Sequence, residues 1–197
     1  MDLACVERFV HKLHAHAIIC YLPSASSSSI PCSSLFLPTD ATSESDIKNV
    51  FGHIQKDFSH LDVFVNCAGI IFSQQIVGHS FEDFNCIIDV NTSAFEGRRG
   101  QTGYAASQGA IAEMTRPLAE ELALMNIRVC AIIPGAFDTP LLRRLRIKVP
   151  NTQGNFPLFP ARLGDPAEFA QLVQIIVENP LLNSINIRLD ALLHMPP

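Results

Sequence analysis

A chain of 197 residues with 48% hydrophobic and 17% charged side chains can bury one sizeable core, which excludes general disorder and favours a single domain over 1–197. Its net charge of −5 argues against a protein that neutralises many phosphates, so no nucleic-acid partner is indicated and small molecules or protein surfaces are the better expectation. Six scattered cysteines without a C-x-x-C pair read as reduced core residues, and the longest apolar candidate, 15–22, falls far short of the roughly 20 residues that cross a membrane.

In chain order, residues 3–13 carry apolar side chains at helical spacing (Leu3, Val6, Val10, Leu13), and Ala17-Ile18-Ile19-Cys20-Tyr21-Leu22 reads as a buried strand. His11, His14 and His16 straddle the end of that helix, which scatters them and makes solvated histidines a simpler reading than a metal cluster. The serine-rich stretch 24–29 is a solvated loop, and the short apolar run Leu35-Phe36-Leu37 follows it. Thr42 or Ser43 supplies an N-cap with Glu44 and Asp46 behind it. Ile47, Val50, Phe51, Ile54 and Phe58 then form one stripe, predicting a helix that ends near His60.

Leu61-Asp62-Val63-Phe64-Val65-Asn66 predicts a strand running into Cys67-Ala68-Gly69, whose small residues allow close approach by a ligand or another backbone. Open α/β sheets bind ligands at such strand ends. Ser80 caps a further helix, a loop with Gly97, Gly100 and Gly103 follows, and 104–124 give the longest helix. That loop contains Arg98 and Arg99 and invites a phosphate-binding reading, but no strand precedes it, so a flexible connection is simpler. Residues 127–133 form a buried strand closed by Pro134-Gly135. Asp165-Pro166-Ala167-Glu168 joins a capping acid, a proline at the first helical position and a glutamate three residues after the cap, which secures the start of the next helix. A last strand covers 185–189. This alternation implies an α/β fold with a mostly parallel sheet and helices on its faces.

Several of these segments together resemble the short-chain dehydrogenase/reductase family. Asn66-Cys67-Ala68-Gly69 matches the family's N-x-A-G element after its fourth strand, and Asp40 matches the acid that contacts adenine. Tyr104-Ala105-Ala106-Ser107-Gln108 matches Y-x-x-x-K, and Pro134-Gly135 with Thr139 matches the segment that holds the nicotinamide amide. The wording around Val65, 162–168 and 187–190 is similar to a mitochondrial branch that oxidises 3-hydroxyacyl-CoA and hydroxysteroid alcohols. The resemblance implies a Rossmann-like doubly wound parallel sheet, and NAD held by Asp40, Asn66, Ala68, Gly69, Pro134, Gly135 and Thr139. It implies Tyr104, Asn91 and Gln108 at catalytic positions, and a small-molecule alcohol or acyl-CoA as substrate. It also implies homo- or hetero-oligomers with intact family members. A mitochondrial location rests on the resemblance alone, since the first twenty residues lack the Arg-rich, acid-poor character of a transit peptide.

The departures from the family bear on activity. Its first strand feeds G-x-x-x-G-x-G, where glycine backbone and a helix N-terminus cradle the pyrophosphate. Here the chain starts inside the helix that should follow that loop, and no glycine precedes Gly52. Where NAD users place an acid on the ribose hydroxyls, this chain offers Cys20 or Tyr21. Between Asn91 and Gly97 only residues 92–96 stand in place of a strand, part of a helix and the catalytic serine, a large share of a βαβ unit of about 30 residues. Ser93 and Ser107 are poor substitutes for that serine.

Gln108 replaces the lysine that, one helical turn after the tyrosine, lowers its pKa and grips the ribose. An unassisted tyrosine with pKa ~10 is ionised only about one part in a thousand at pH 7. Arg143, Arg144, Arg146 and Lys148 fall where the family covers its substrate and would meet a CoA phosphate, although a solvated face is simpler. The expectation is an incomplete Rossmann-like sheet lacking its first strand and its fifth, with weak or absent NAD binding and impaired oxidoreductase activity. The alternative is a non-catalytic pseudoenzyme subunit, or a partial gene product, that associates with intact relatives.

Overall fold

The computed structural model describes residues 1–21, 34–69, 102–144 and 159–192. The serine-rich loop, the helix expected after Ser80, Asn91 and the glycine loop lie outside these residues, as do Arg146 and Lys148.

Helix α1 (Asp2–Leu13) buries Cys5 and Val10 and stops at His14, which adopts a left-handed φ of 53° and donates its N–H to Phe9. His11, His14 and His16 are all exposed, and the His16 ring lies against the Phe58 ring at 5.7 Å. Strand β1 (Ala17–Tyr21) pairs in parallel with β2 (Ser34–Pro38), Ala17 opposite Ser34. Ser43 is the cap of α2 (Glu44–Asp57), its hydroxyl accepting from the Asp46 N–H. Helix α3 (Thr102–Leu122) continues into a short 3-10 turn (Ala123–Met125). Strand β3 (Cys130–Pro134) pairs in parallel with β4 (Ile185–Leu189). Between them stand α4 (Pro140–Arg144) and α5 (Pro166–Glu178).

The core gathers where α1 lies on α5. Cys5, Phe137, Phe169, Ala170 and Val173 are buried together, with Cys67, Ile132 and Leu189 packed against them. Phe137 and Phe169 meet edge to face at 6.2 Å, the arrangement that the ring quadrupoles favour. Arg8 joins the two helices at the rim, its Nε donating to Gln174 Oε1.

Four expectations change. Residues 61–66 form no strand: no ladder includes them, and Phe64 is 72% exposed. Extended apolar chain becomes a strand only when a neighbour takes its backbone N–H and C=O groups, and among the described residues none does. Among the described residues the doubly wound sheet is likewise present as two two-stranded parallel pieces, β1–β2 and β3–β4. Strand β3 begins at Cys130 rather than 127, because the preceding residues turn off the end of α3: Ile127 donates to Leu122, and Val129 to the Asn183 side chain. Finally, Cys20 is exposed, since alternation along β1 turns Ile19 inward and its neighbour outward. Cys5, Cys20, Cys67 and Cys130 are all reduced thiols, as expected.

Candidate functional site

Several of the polar groups singled out by the sequence are spent on local turns. Asn66 Oδ1 accepts from the Ala68 N–H at 3.2 Å, so its side chain closes the turn after the unpaired 61–66 segment. Cys67, next to it, reaches the same core cluster as Ile132 of β3, which brings this turn close to the strand that ends in Pro134. Gly135 donates its N–H to Leu189 at 2.9 Å, and a Cβ there would lie 2.7 Å from the Asp190 Cα. The glycine is thus required by the close passage of the chain leaving β4. Thr139 Oγ1 accepts from the Leu142 N–H at 3.3 Å and starts α4.

Asp40 sits one residue beyond the buried Thr39, after β2. Its Oδ1 accepts from the Thr42 N–H at 2.9 Å and the Thr42 hydroxyl at 2.7 Å, and these bonds hold its carboxyl below the usual range. Its own N–H donates to Asp46 Oδ2, tying the turn to α2. Asp138 is held low in the same way by a two-pronged bond from Arg143, at 2.7 and 2.8 Å, whose own pKa is raised in return. Arg143 lies on a solvated face, as expected, where it pairs with this neighbouring acid.

Tyr104 lies in the first turn of α3, as expected. Gln108, one turn further on, is only 3% exposed, and its Oε1 has no hydrogen-bond partner. A small cavity of about 180 Å³ opens where β3 and β4 end, lined by Ala136, Phe137, Arg162, Glu168, Leu189 and Asp190 among others. A shallower one of about 410 Å³ lies between Leu37, Pro38 and the face of α2 carrying Asn49, His53 and Lys56. Neither includes Gln108. Among the described residues no three His, Cys, Asp or Glu side chains gather to hold a metal, and no helix is long and apolar enough to cross a membrane.

Sequence reasoning passed over Asn186. Its Nδ2 donates to the Ala112 carbonyl at 3.0 Å and so fastens the middle of α3 to β4. The available signal was a carboxamide between two isoleucines in a short strand.

Residues 10–97 match a family model described as enoyl-(acyl carrier protein) reductase, and 92–150 match one described as short chain dehydrogenase. The human 3-hydroxyacyl-CoA dehydrogenase type-2 is 37% identical over 241 positions, covering 100% of this chain and 92% of that protein. The Drosophila melanogaster protein of the same name is 35% identical, over 98% and 93% of the two chains. A 3-oxoacyl-[acyl-carrier-protein] reductase of Thermotoga maritima is 30% identical over 71% of this chain and 68% of its own. The solved short chain dehydrogenase from Bacillus anthracis superposes with a TM-score of 0.79 at 21% identity, covering 98% of this chain and 92% of that one.

The fold is thus of the α/β, Rossmann-like class of oxidoreductases. The chain belongs to the short-chain dehydrogenase/reductase family, and within it resembles the type-2 3-hydroxyacyl-CoA dehydrogenases. Proteins of this family are in general NAD(P)-dependent.

Proposed function

We propose that the chain is a single-domain oxidoreductase of the 3-hydroxyacyl-CoA and hydroxysteroid type whose catalysis is impaired, in the mitochondrial compartment of the branch it resembles. The observation that carries this reading is Gln108: at the position of the family's lysine stands a neutral, buried carboxamide that brings no positive charge to Tyr104.

Three further features support it. The alignment with the human relative spans 241 positions while this chain has 197 residues, so internal gaps take up the difference. The two unjoined sheets and the unladdered 61–66 segment fit a sheet without its first and fifth strands. The residues present also do not fit NAD. Strand β1 ends in the exposed Cys20 and in Tyr21, whose ring stacks on Phe36 at 6.1 Å, and neither offers a carboxylate to a ribose. Asp40 Oδ1 is taken by Thr42, and the orphaned Gln108 Oε1 is an acceptor where the family has a cationic donor.

A second reading, a non-catalytic subunit joined to intact relatives or to its own copies, is favoured by the unpaired 61–66 segment. Its apolar residues stand beside backbone donors and acceptors outside any ladder.

Titration calorimetry with NAD is expected to show no micromolar binding. The Gln108→Lys variant, assayed with a short 3-hydroxyacyl-CoA and millimolar NAD, is expected to turn over no faster than the parent. Cofactor holding, substrate orientation and tyrosine acidity act in series, and lysine repairs only the last. Micromolar heats, or turnover clearly above the parent, overturn the proposal.

A further inference from the structure

The groove of about 410 Å³ between β2 and α2 stands apart from the positions assigned to catalysis and cofactor, none of which lines it. Leu37 and Pro38 of β2, with Val50 of α2, give it apolar walls. Lys48, Asn49, His53 and Lys56 add polar groups at helical spacing along one side of α2. An apolar lining with a few donors, in a volume of this order, is the make-up of a small-molecule site. Asn49 and Lys56 make no side-chain bond among the described residues. Lys48 pairs with Glu44 at 2.6 Å, but both are largely exposed, so a second anion displaces that partner at little cost. Asp46 is the one acid lining the groove among the described residues, and its Oδ2 already accepts from the Asp40 N–H.

Gly52 supplies an independent sign. It lies in the interior of α2, where glycine weakens a helix because the unfolded chain has more backbone freedom to lose. A Cβ there would meet no atom within 4 Å, so no neighbour demands the missing side chain. Gly52 does line the groove, midway between Lys48 and Lys56 in the helix, and its bare backbone leaves that space open.

We infer that the β2–α2 groove binds a small phosphate monoester, its phosphate held by Lys48 and Lys56 and its apolar body over Gly52 against Leu37 and Pro38. The two lysines are eight residues apart, roughly 12 Å along the helix, a span that two flexible four-carbon stems can close. Two ammonium groups, a carboxamide and an imidazole exceed what one carboxylate satisfies, whereas a phosphate monoester brings close to two charges and three acceptor oxygens. The inference goes beyond the impaired-dehydrogenase reading and does not depend on it.

Calorimetric titration of the full chain with phenyl phosphate tests this, with phenol and inorganic phosphate as the separate halves. Phenyl phosphate is expected to bind with a Kd of about 1 mM, as suits a ligand of so few atoms, and each half at least about tenfold more weakly. Lys56→Ala is expected to lower the affinity about fivefold, while Lys12→Ala, which removes an exposed lysine of α1, leaves it unchanged. Gly52→Ala separates the groove from the fold: it is expected to raise the thermal midpoint by about 2 °C and to weaken binding about fivefold. The inference is overturned by an absence of heat at millimolar phenyl phosphate, by inorganic phosphate binding as tightly, or by an equal loss in Lys12→Ala. Full affinity in Gly52→Ala, or a lowered midpoint that returns the glycine to the needs of the fold, overturns it as well.

Discussion

Arg128 reaches across from the entrance of β3 to the end of α5, where its guanidinium donates to the carbonyls of Ile176, Val177, Asn179 and Leu182. The last carbonyls of a helix have no partner within it, and a cation there also meets the favourable end of the helix dipole. Arg128→Ala removes all four bonds at once. It is expected to cost about 2 kcal/mol and to lower the melting midpoint by roughly 4–8 °C. A denaturant or thermal melt checks this, and a midpoint within one degree of the parent would reduce the clamp to a surface contact. Nothing in the sequence announced this role, because the four carbonyls lie about fifty residues away and carry no side-chain signature. Gly164 is a similar case. A Cβ there would fall 2.7 Å from the Phe137 ring, so its smallness is dictated by a neighbour from another segment.

At the scale of elements, local chemistry was legible. The cap of α5 is formed in full: the Asp165 side chain accepts from Ala167, Glu168 accepts from the Asp165 N–H, and Arg162 holds both Glu168 oxygens. The Arg162 bonds, and then the Asp165 N–H, lower the Glu168 carboxyl from its ordinary 4.5 to about 2. A group whose pKa is lower in the folded state contributes stability above its unfolded value and loses it as pH falls through the folded one. The contribution is therefore complete above about pH 5 and fades between 4.5 and about 2. Both partners are substantially exposed, so solvent screening keeps it modest. The midpoint difference between parent and Glu168→Gln is expected to be constant from pH 7 to 5 and to shrink below 4.5. A difference that stays level down to pH 3 contradicts this account. Strand identity was less legible than helix caps: Val63, Phe64 and Val65 have strand character, yet among the described residues no neighbour pairs with them in a ladder.

At the scale of the whole molecule, the described residues form two two-stranded parallel sheets, and two-stranded pieces gain little independent stability. The chain is expected to melt early and over a broad range, with β1 and β2 opening first. By contrast, α1, α5, β3 and β4 share the main buried cluster and are expected to hold longest. Hydrogen exchange followed along the chain reads that order directly. A sharp, cooperative, high-temperature transition of a monomer would show that the separated strands support one another after all.

Sequence by itself determined the features that depend on neighbours close along the chain. These are the helices, the Ser43 and Asp165 caps, the parallel α/β class, the family, and the substitution of Gln108 for a lysine. Periodicity, capping chemistry and short motifs all act within a few residues, where the chain carries its own explanation. Only the tertiary structure decided what depends on distant partners. It set whether 61–66 pairs, which face Cys20 presents, where Arg128 reaches, and that Gln108 is buried. A ladder, a helix clamp and a burial site each need a second segment at the right place. That placement is a property of the packed chain and is absent from either segment alone.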